Sequence, residues 1–185
     1  MTFRIDLRLM RNDIHDSRLA VKLINSNLDW FFFDEPITIT QHQEFMERSI
    51  TRGDKPFVIE KNGISCGTIG LYAIDKKSAS TQWGHFTIDS QHQGIGTIAE
   101  YMLLDYIFLE NKFDYTYCHT LATNQTMIHL QEGKFGFTRE ATLAKHVIKK
   151  GQHFDVFKFG LTSIKWTKQR QKFSGLTPFI GKVKT

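Results

Sequence analysis

Ten residues near the middle of the chain, Ile88-Asp89-Ser90-Gln91-His92-Gln93-Gly94-Ile95-Gly96-Thr97, restrict its fold more than any other stretch. Gln82 to Ile88 reads as a strand, and Thr97 to Leu109 places Met102, Leu103, Tyr106 and Ile107 at helical spacing. A strand therefore enters a glycine-bearing loop and a helix leaves it at once. Glycines let a backbone approach a ligand closely, and the first N–H groups of a helix have no carbonyl partner within it. Together with the positive end of the helix dipole they make a site for a phosphate group. No Lys follows the second glycine as in a nucleoside-triphosphate loop, and there is no third glycine at dinucleotide-binding spacing.

The rest of the chain supplies more strands and helices in alternation. Phe3 to Met10 alternates through Phe3, Ile5, Leu7 and Leu9 and reads as a first strand. From Asn12 helical spacing brings Leu19, Leu23 and Ile24 to one face. Trp30 to Pro36 is an irregular aromatic and acidic loop, and Thr40 reads as the N-cap of a second helix holding Phe45, Met46 and Ile50. Asn62-Gly63 marks a hairpin turn between Phe57–Glu60 and a strand from Ile64 to about Asp75. Tyr115 to Leu121 is a strand and Thr126 to Lys134 a short helix, followed by a hairpin of Thr138–Ile148 and Phe154–Leu161. The order βααβββαβαββ predicts an α/β fold, a mixed sheet with helices on both faces.

Composition sets the outer limits. With 185 residues, 41% of them hydrophobic, the chain suits one domain with an ordinary core. We place that domain at residues 1–162 and a basic tail at 163–185. The tail carries Lys165, Lys168, Arg170, Lys172, Lys182 and Lys184 and no acid, so the net charge of +5 resides there. Taking those six from the 24 basic residues leaves 18 against 19 acids in the body. Such a tail is a solvated terminus, or it packs on the body or on a partner chain through Trp166, Phe173 and Phe179, as in a homodimer. No nucleic-acid-binding motif accompanies it. No apolar run nears the roughly 20 residues of a membrane span, and the start lacks the apolar core of a signal peptide. Cys66 and Cys118 lie in apolar strands, as reduced thiols of a cytoplasmic protein do. No metal site is expected.

Two blocks of sequence carry a family resemblance. Gln91-x-x-Gly94-x-Gly96 resembles the (Gln/Arg)-x-x-Gly-x-(Gly/Ala) signature of GNAT acetyltransferases. Tyr117 to Asn124, then Met127-Ile128-His129-Leu130-Gln131-Glu132-Gly133-Lys134-Phe135-Gly136-Phe137, resembles that family's strand, its Asn and its L-Y-E-K-x-G-F helix end. The resemblance spans about Phe3 to Leu161. It implies a GNAT fold whose central sheet is splayed at an acetyl-CoA site, and direct acetyl transfer from acetyl-CoA to a primary amine, without a metal or a covalent enzyme intermediate. The cofactor contacts it implies are Gln91, Gln93, Gly94, Ile95, Gly96 and Thr97, the backbone of Phe86, Thr87 and Ile88, and Asn124, which holds the pantetheine arm or caps the short helix.

Transfer needs a deprotonated amine and a proton for the leaving thiolate. His119 is the candidate base, at the strand position where protein N-terminal acetyltransferases of the superfamily carry Glu; the plain alternative is a histidine hydrogen-bonded on a half-buried strand. Seven residues after Asn124 the family carries a Tyr that protonates the thiolate, and here Gln131 stands there, which is no acid. Tyr117 and Cys118 are weak substitutes.

The acceptor is expected near the Trp30–Pro36 loop and the end of strand Trp83–Phe86. Strand alternation puts Trp83, His85 and Thr87 on one face, so His85 is a second base or orients the acceptor. Asp34 and Glu35 would attract a cationic amine, and Trp30 with its neighbouring Phe residues would stack on a sugar or base. Tyr72–Asp75 with Gln82–Phe86, the Lys145–Val156 hairpin and Trp166 resemble the sugar-nucleotide N-acetyltransferases of pseudaminic-acid biosynthesis. The hairpin is shared with ribosomal-protein N-terminal and spermidine acetyltransferases. Lys145, Lys149 and Lys150 would suit a diphosphate-bearing sugar, and an acidic cavity would suit a polyamine. A non-catalytic acyl-CoA-binding module is the alternative outside the enzymes.

Overall fold

The computed structural model describes residues 3–92 and 94–185. Eight strands form one sheet in the order β6-β7-β5-β4-β3-β2-β1-β8. In chain order they are β1 (Ile5–Leu9), β2 (Lys55–Lys61), β3 (Ile64–Asp75), β4 (Ser80–Ile88), β5 (Tyr115–Leu121), β6 (Thr138–Lys149), β7 (Gln152–Thr162) and β8 (Ile180–Lys184). The helices are α1 (Ile14–Asn25), α2 (Ile39–Arg52), α3 (Gly96–Asp105), α4 (Gln125–Ile128) and α5 (Ser163–Gln169). Helix α3 runs on as a wider π turn to Glu110, and α4 does so from His129 to Phe135.

Alternation in β2 divides the two layers. Phe57 and Ile59 join the large core beneath α3, while Val58 between them packs with Ala20 of α1 and Met46 of α2. Both faces of β2 are therefore covered, and five successive residues of it are buried. Asp13 caps α1, accepting from the His15 and Asp16 N–H groups. Helix α2 begins at Thr38 rather than at the expected Thr40: Thr38 and Gln41 cap each other's backbone reciprocally, and the capping partner three residues on decides the start. The Asn62-Gly63 turn is present, with positive φ at both residues.

The segment after Thr162 is part of the packed body. Trp166 is fully buried and its indole N–H donates to Asp105 at 2.8 Å; Phe173 stacks on Phe135 and touches Tyr101. Phe179 stacks on Phe3, and β8 pairs in parallel with β1. The aromatic residues expected to form a homodimer contact are thus mostly consumed within the chain. Both cysteines are free and buried. No helix among the described residues is long and apolar enough to cross a membrane.

Candidate active site

The sheet opens in the middle. β4 and β5 pair in parallel only at Ser80–Gln82 against Tyr115–Tyr117, and the strands then diverge. β4 keeps β3 on its other side and β5 keeps β7, so the facing edges of Trp83–Ile88 and Cys118–Leu121 leave backbone groups free in the gap. The turn Ser90–His92 and the N-terminus of α3 follow directly on the end of β4 at one end of this splay.

That loop is held from behind. The Asp89 N–H donates to the Cys66 carbonyl at 2.8 Å, the Asp89 carboxylate accepts from the Gln91 N–H, and Lys22 of α1 pairs with it at 3.1 Å. Those bonds and the Lys22 charge hold the carboxyl below its usual range. Gly94 adopts φ +89°, the left-handed region that glycine enters freely, and a Cβ on it would meet open space. Gly96 lies against the Phe86 ring, where a Cβ would come within 3.1 Å. Thr97 and Gly94 line a cavity of about 470 Å³ with Gly133, Lys134, Lys172, Phe173 and Phe179. Lys134 donates to the Thr97 hydroxyl at 3.1 Å, so a cation stands beside the free helix N–H groups. A flexible loop glycine, a helix N-terminus and two lysines fit the phosphates of a CoA donor. Ile95 is buried, and the Thr87 hydroxyl pairs with Thr68, so only the backbone of either can face the donor. Asn124 spends its side-chain oxygen capping α4 at the Met127 N–H, the second of its two expected roles. Gln91 is exposed on the loop, and the Gln93 expectation lies outside the described residues.

Alternation fails in β4. Thr68 pairs with Thr87 and Gly70 with Gly84, so His85 and Phe86 together face Ile69 in a bulge, and His85 takes φ +50°. Trp83 and Phe86 consequently turn together into the core beneath α3, where Trp83 is 1% exposed and touches Phe137. His85 turns the other way. Its ring stacks on Phe45 at 5.2 Å, meets Tyr72 at 4.6 Å and faces Phe31 at 6.4 Å. The expected shared face of Trp83 and His85 is corrected: Trp83 is core, and His85 lies in an aromatic cleft with its edge open to solvent. Desolvation by the surrounding rings, and then the nearby His42, push the His85 pKa down, which favours the neutral imidazole at pH 7.

His119 lies on β5 on the face away from buried Cys118, within the splayed part of the strand. Tyr117 meets its ring edge-on at 5.7 Å. Burial, then Lys158 and His146, lower its pKa below the ordinary histidine value, which favours the neutral imidazole.

The Trp30–Pro36 loop is tied to the β6–β7 hairpin. Lys149 is 6% exposed and donates to the carbonyls of Leu28, Asp29 and Phe31 at 2.7, 3.1 and 2.9 Å. The Lys150 N–H donates to Asp34 at 2.6 Å. Lys149 is therefore not free for a diphosphate, and Asp34 anchors the hairpin through one carboxylate oxygen while the other is buried without a hydrogen-bond partner among the described residues. Trp30 is about half exposed, and Glu35 projects to solvent.

Sequence reasoning missed two features. One is the set of partners of His85, Phe45 and Tyr72, which only the fold assembles. The other is Glu100, fully buried in α3. Its signal was readable: Glu100 falls on the same helical stripe as Leu103, Leu104 and Ile107.

A sheet splayed between two parallel strands, with an anion-binding helix N-terminus at its mouth, defines a CoA-dependent acyltransferase architecture. Residues 4–138 match the acetyltransferase (GNAT) domain, and the chain belongs to this family of acetyl-CoA-dependent N-acetyltransferases. It is 26% identical over 139 residues to the SPbeta prophage-derived N-acetyltransferase YokL of Bacillus subtilis, covering 74% of this chain and 76% of that one. Among solved structures it is similar to spermidine N-acetyltransferase of Vibrio cholerae in complex with CoA and spermine. There the TM-score is 0.79 at 23% identity, over 89% of this chain and 98% of that one. A probable acetyltransferase gives a TM-score of 0.73 at 21% identity over 88% and 95% of the two chains.

Proposed function

We propose that this N-acetyltransferase acts on a small molecule whose primary amine is borne on a ring, an amino sugar or its nucleotide-linked form. The observation that carries this reading is the cleft of His85, Phe45, Tyr72 and Phe31, set on the α2 face of β4 where that strand has left β5. Its four rings are neutral at pH 7, and they offer a flat apolar platform against which a ring can lie. The donor lies along the splay, its phosphates on the Gly94–Thr97 backbone with Lys134 and Lys172 beside them. The amine then meets the donor between the diverging edges of β4 and β5, where His119 removes its proton directly or through a water. His85 is too weak a base for that step and orients the acceptor.

A polyamine is the second reading. Aromatic faces also attract ammonium groups, and the fold likeness includes spermidine acetyltransferases. Against it, one Asp34 oxygen is bonded to the Lys150 N–H, and Asp54, the carboxylate near the cleft, is already paired with Ser49 and Arg52.

The deciding measurement is CoA release with amino sugars, UDP-amino sugars, spermidine and peptides with free N-termini. Turnover on ring-borne amines, with His85→Ala raising KM and His119→Ala lowering kcat about 100-fold, is the expected result. Turnover on spermidine alone would assign the polyamine reading instead.

A further inference from the structure

The interior between α3, α4 and β5 holds a polar pair with no evident use. Glu100 and Gln131 are both fully buried, and neither carboxylate oxygen nor either amide atom has a well-formed hydrogen bond among the described residues. Leaving such groups unpaired costs stability, and a pair of this kind in a core asks for a purpose. The two side chains are neighbours, since the Gln131 amide lies near enough to favour the carboxylate form of Glu100. Cys118, where β5 leaves β4, is close enough to feel the charge of Glu100. The pair therefore sits at the root of the splay. Gln131 occupies the position at which the family resemblance expects the tyrosine that protonates the leaving thiolate, and a glutamine is shorter than a tyrosine and carries no acidic proton.

We propose that Glu100 is the proton donor of the transfer, its carboxyl beside the Gln131 amide giving its proton to the sulfur of the departing CoA. The inference rests on acetyl transfer in the splay and is independent of which amine is accepted. As the amine nitrogen bonds to the acetyl carbon, the carbon–sulfur bond breaks and its electron pair stays on sulfur. The Glu100 O–H proton passes to that sulfur, directly or through one water. The amine proton leaves by way of His119, and the Glu100 carboxylate takes a proton from water when the thiol departs. Burial supports this assignment: it raises the Glu100 pKa to about 8, against smaller opposing effects of Gln131 and Lys134, so the carboxyl keeps its proton at neutral pH. The groups around it are Gln131 and Lys134 on the α4 segment and the Cys118 thiol on β5, itself held protonated by burial.

The test compares wild type, Glu100→Gln, Gln131→Tyr and the double variant on whichever amine the panel identifies. For Glu100→Gln we expect kcat to fall about 100-fold with KM for acetyl-CoA within twofold. The wild-type loss of activity above pH 8 should vanish in that variant, because its residue 100 no longer titrates. Adding Gln131→Tyr should return at least a tenth of the lost rate. A second readout needs no turnover: the carboxylic-acid C=O infrared band of wild type at pH 7 should be missing in Glu100→Gln. Turnover of folded Glu100→Gln within twofold of wild type overturns the proposal. A loss that the tyrosine does not restore, or that resides in KM, also overturns it and leaves Glu100 a packing residue. A wild type that acetylates spermidine alone would overturn the acceptor reading and leave this comparison intact.

Discussion

Replacing Glu100 by Gln should change how stability depends on pH, because its carboxyl is buried in the fold and exposed in the unfolded chain. The carboxyl has a reference pKa of 4.5 and is raised to about 8 in the fold. Between those values the folded chain holds a proton that the unfolded chain has released, so stability falls as pH rises. Each pKa unit corresponds to about 1.36 kcal/mol. The penalty is absent below pH 4.5, reaches about 3 kcal/mol by pH 7 and levels off at about 5 kcal/mol above pH 8. Glutamine does not titrate, and all other groups cancel in the comparison. The Tm of Glu100→Gln relative to wild type should therefore climb by roughly 6–12 °C from pH 4.5 to pH 7, at about 2–4 °C per kcal/mol for a chain of this size. Scanning calorimetry of both proteins at constant ionic strength reads this directly. Parallel Tm curves would refute the reasoning, since Glu100 would then ionise as freely in the fold as in the unfolded chain.

Three other expectations concern parts of the structure that act separately. Gly94→Asp should weaken acetyl-CoA at least tenfold, about 1.4 kcal/mol, by placing a negative charge at the phosphate loop; calorimetric titration against Gly94→Ala separates charge from the strain at φ +89°. Trp166→Ala should cost about 3–5 kcal/mol, roughly 6–20 °C in Tm, because the indole is fully buried and bonded to Asp105. Lys149→Met should cost about 1.5–3 kcal/mol and expose the Leu28–Phe33 loop to limited proteolysis, since three carbonyls lose their one shared donor.

What the sequence made legible was local. The Gly94–Gly96 loop announces itself because glycine spacing, strand end and helix start are all adjacent in the chain. The splay followed only from the family resemblance, since no pattern within β4 or β5 says that they stop pairing after residues 82 and 117. The faces of Trp83 and His85 were misread because period-two alternation assumes a regular strand, and the bulge at residues 84–86 answers to strand β3, not to local sequence. Lys149 was read as a free cation because its partners, the carbonyls of residues 28–31, lie about 120 residues away. For the aromatic residues beyond Thr162 the sequence left the body and a partner chain both open, and the fold resolves this by seating Trp166 and Phe173 against Tyr101 of α3.

The pairing of β8 with β1 bears on how the protein is made. The Lys182 N–H donates to Asp6, 176 residues earlier, so a ribosome working at about 5–20 residues per second needs roughly 10–35 s between the two. Throughout that interval β1 presents an uncovered edge, the kind of surface on which nascent chains pair wrongly. Lys172 and Phe179, which wall the cavity at the mouth of α3, lie between β7 and β8 and are made just before β8. A growing chain can thus assemble seven of its eight strands before Lys172 and Phe179 are there to wall that cavity.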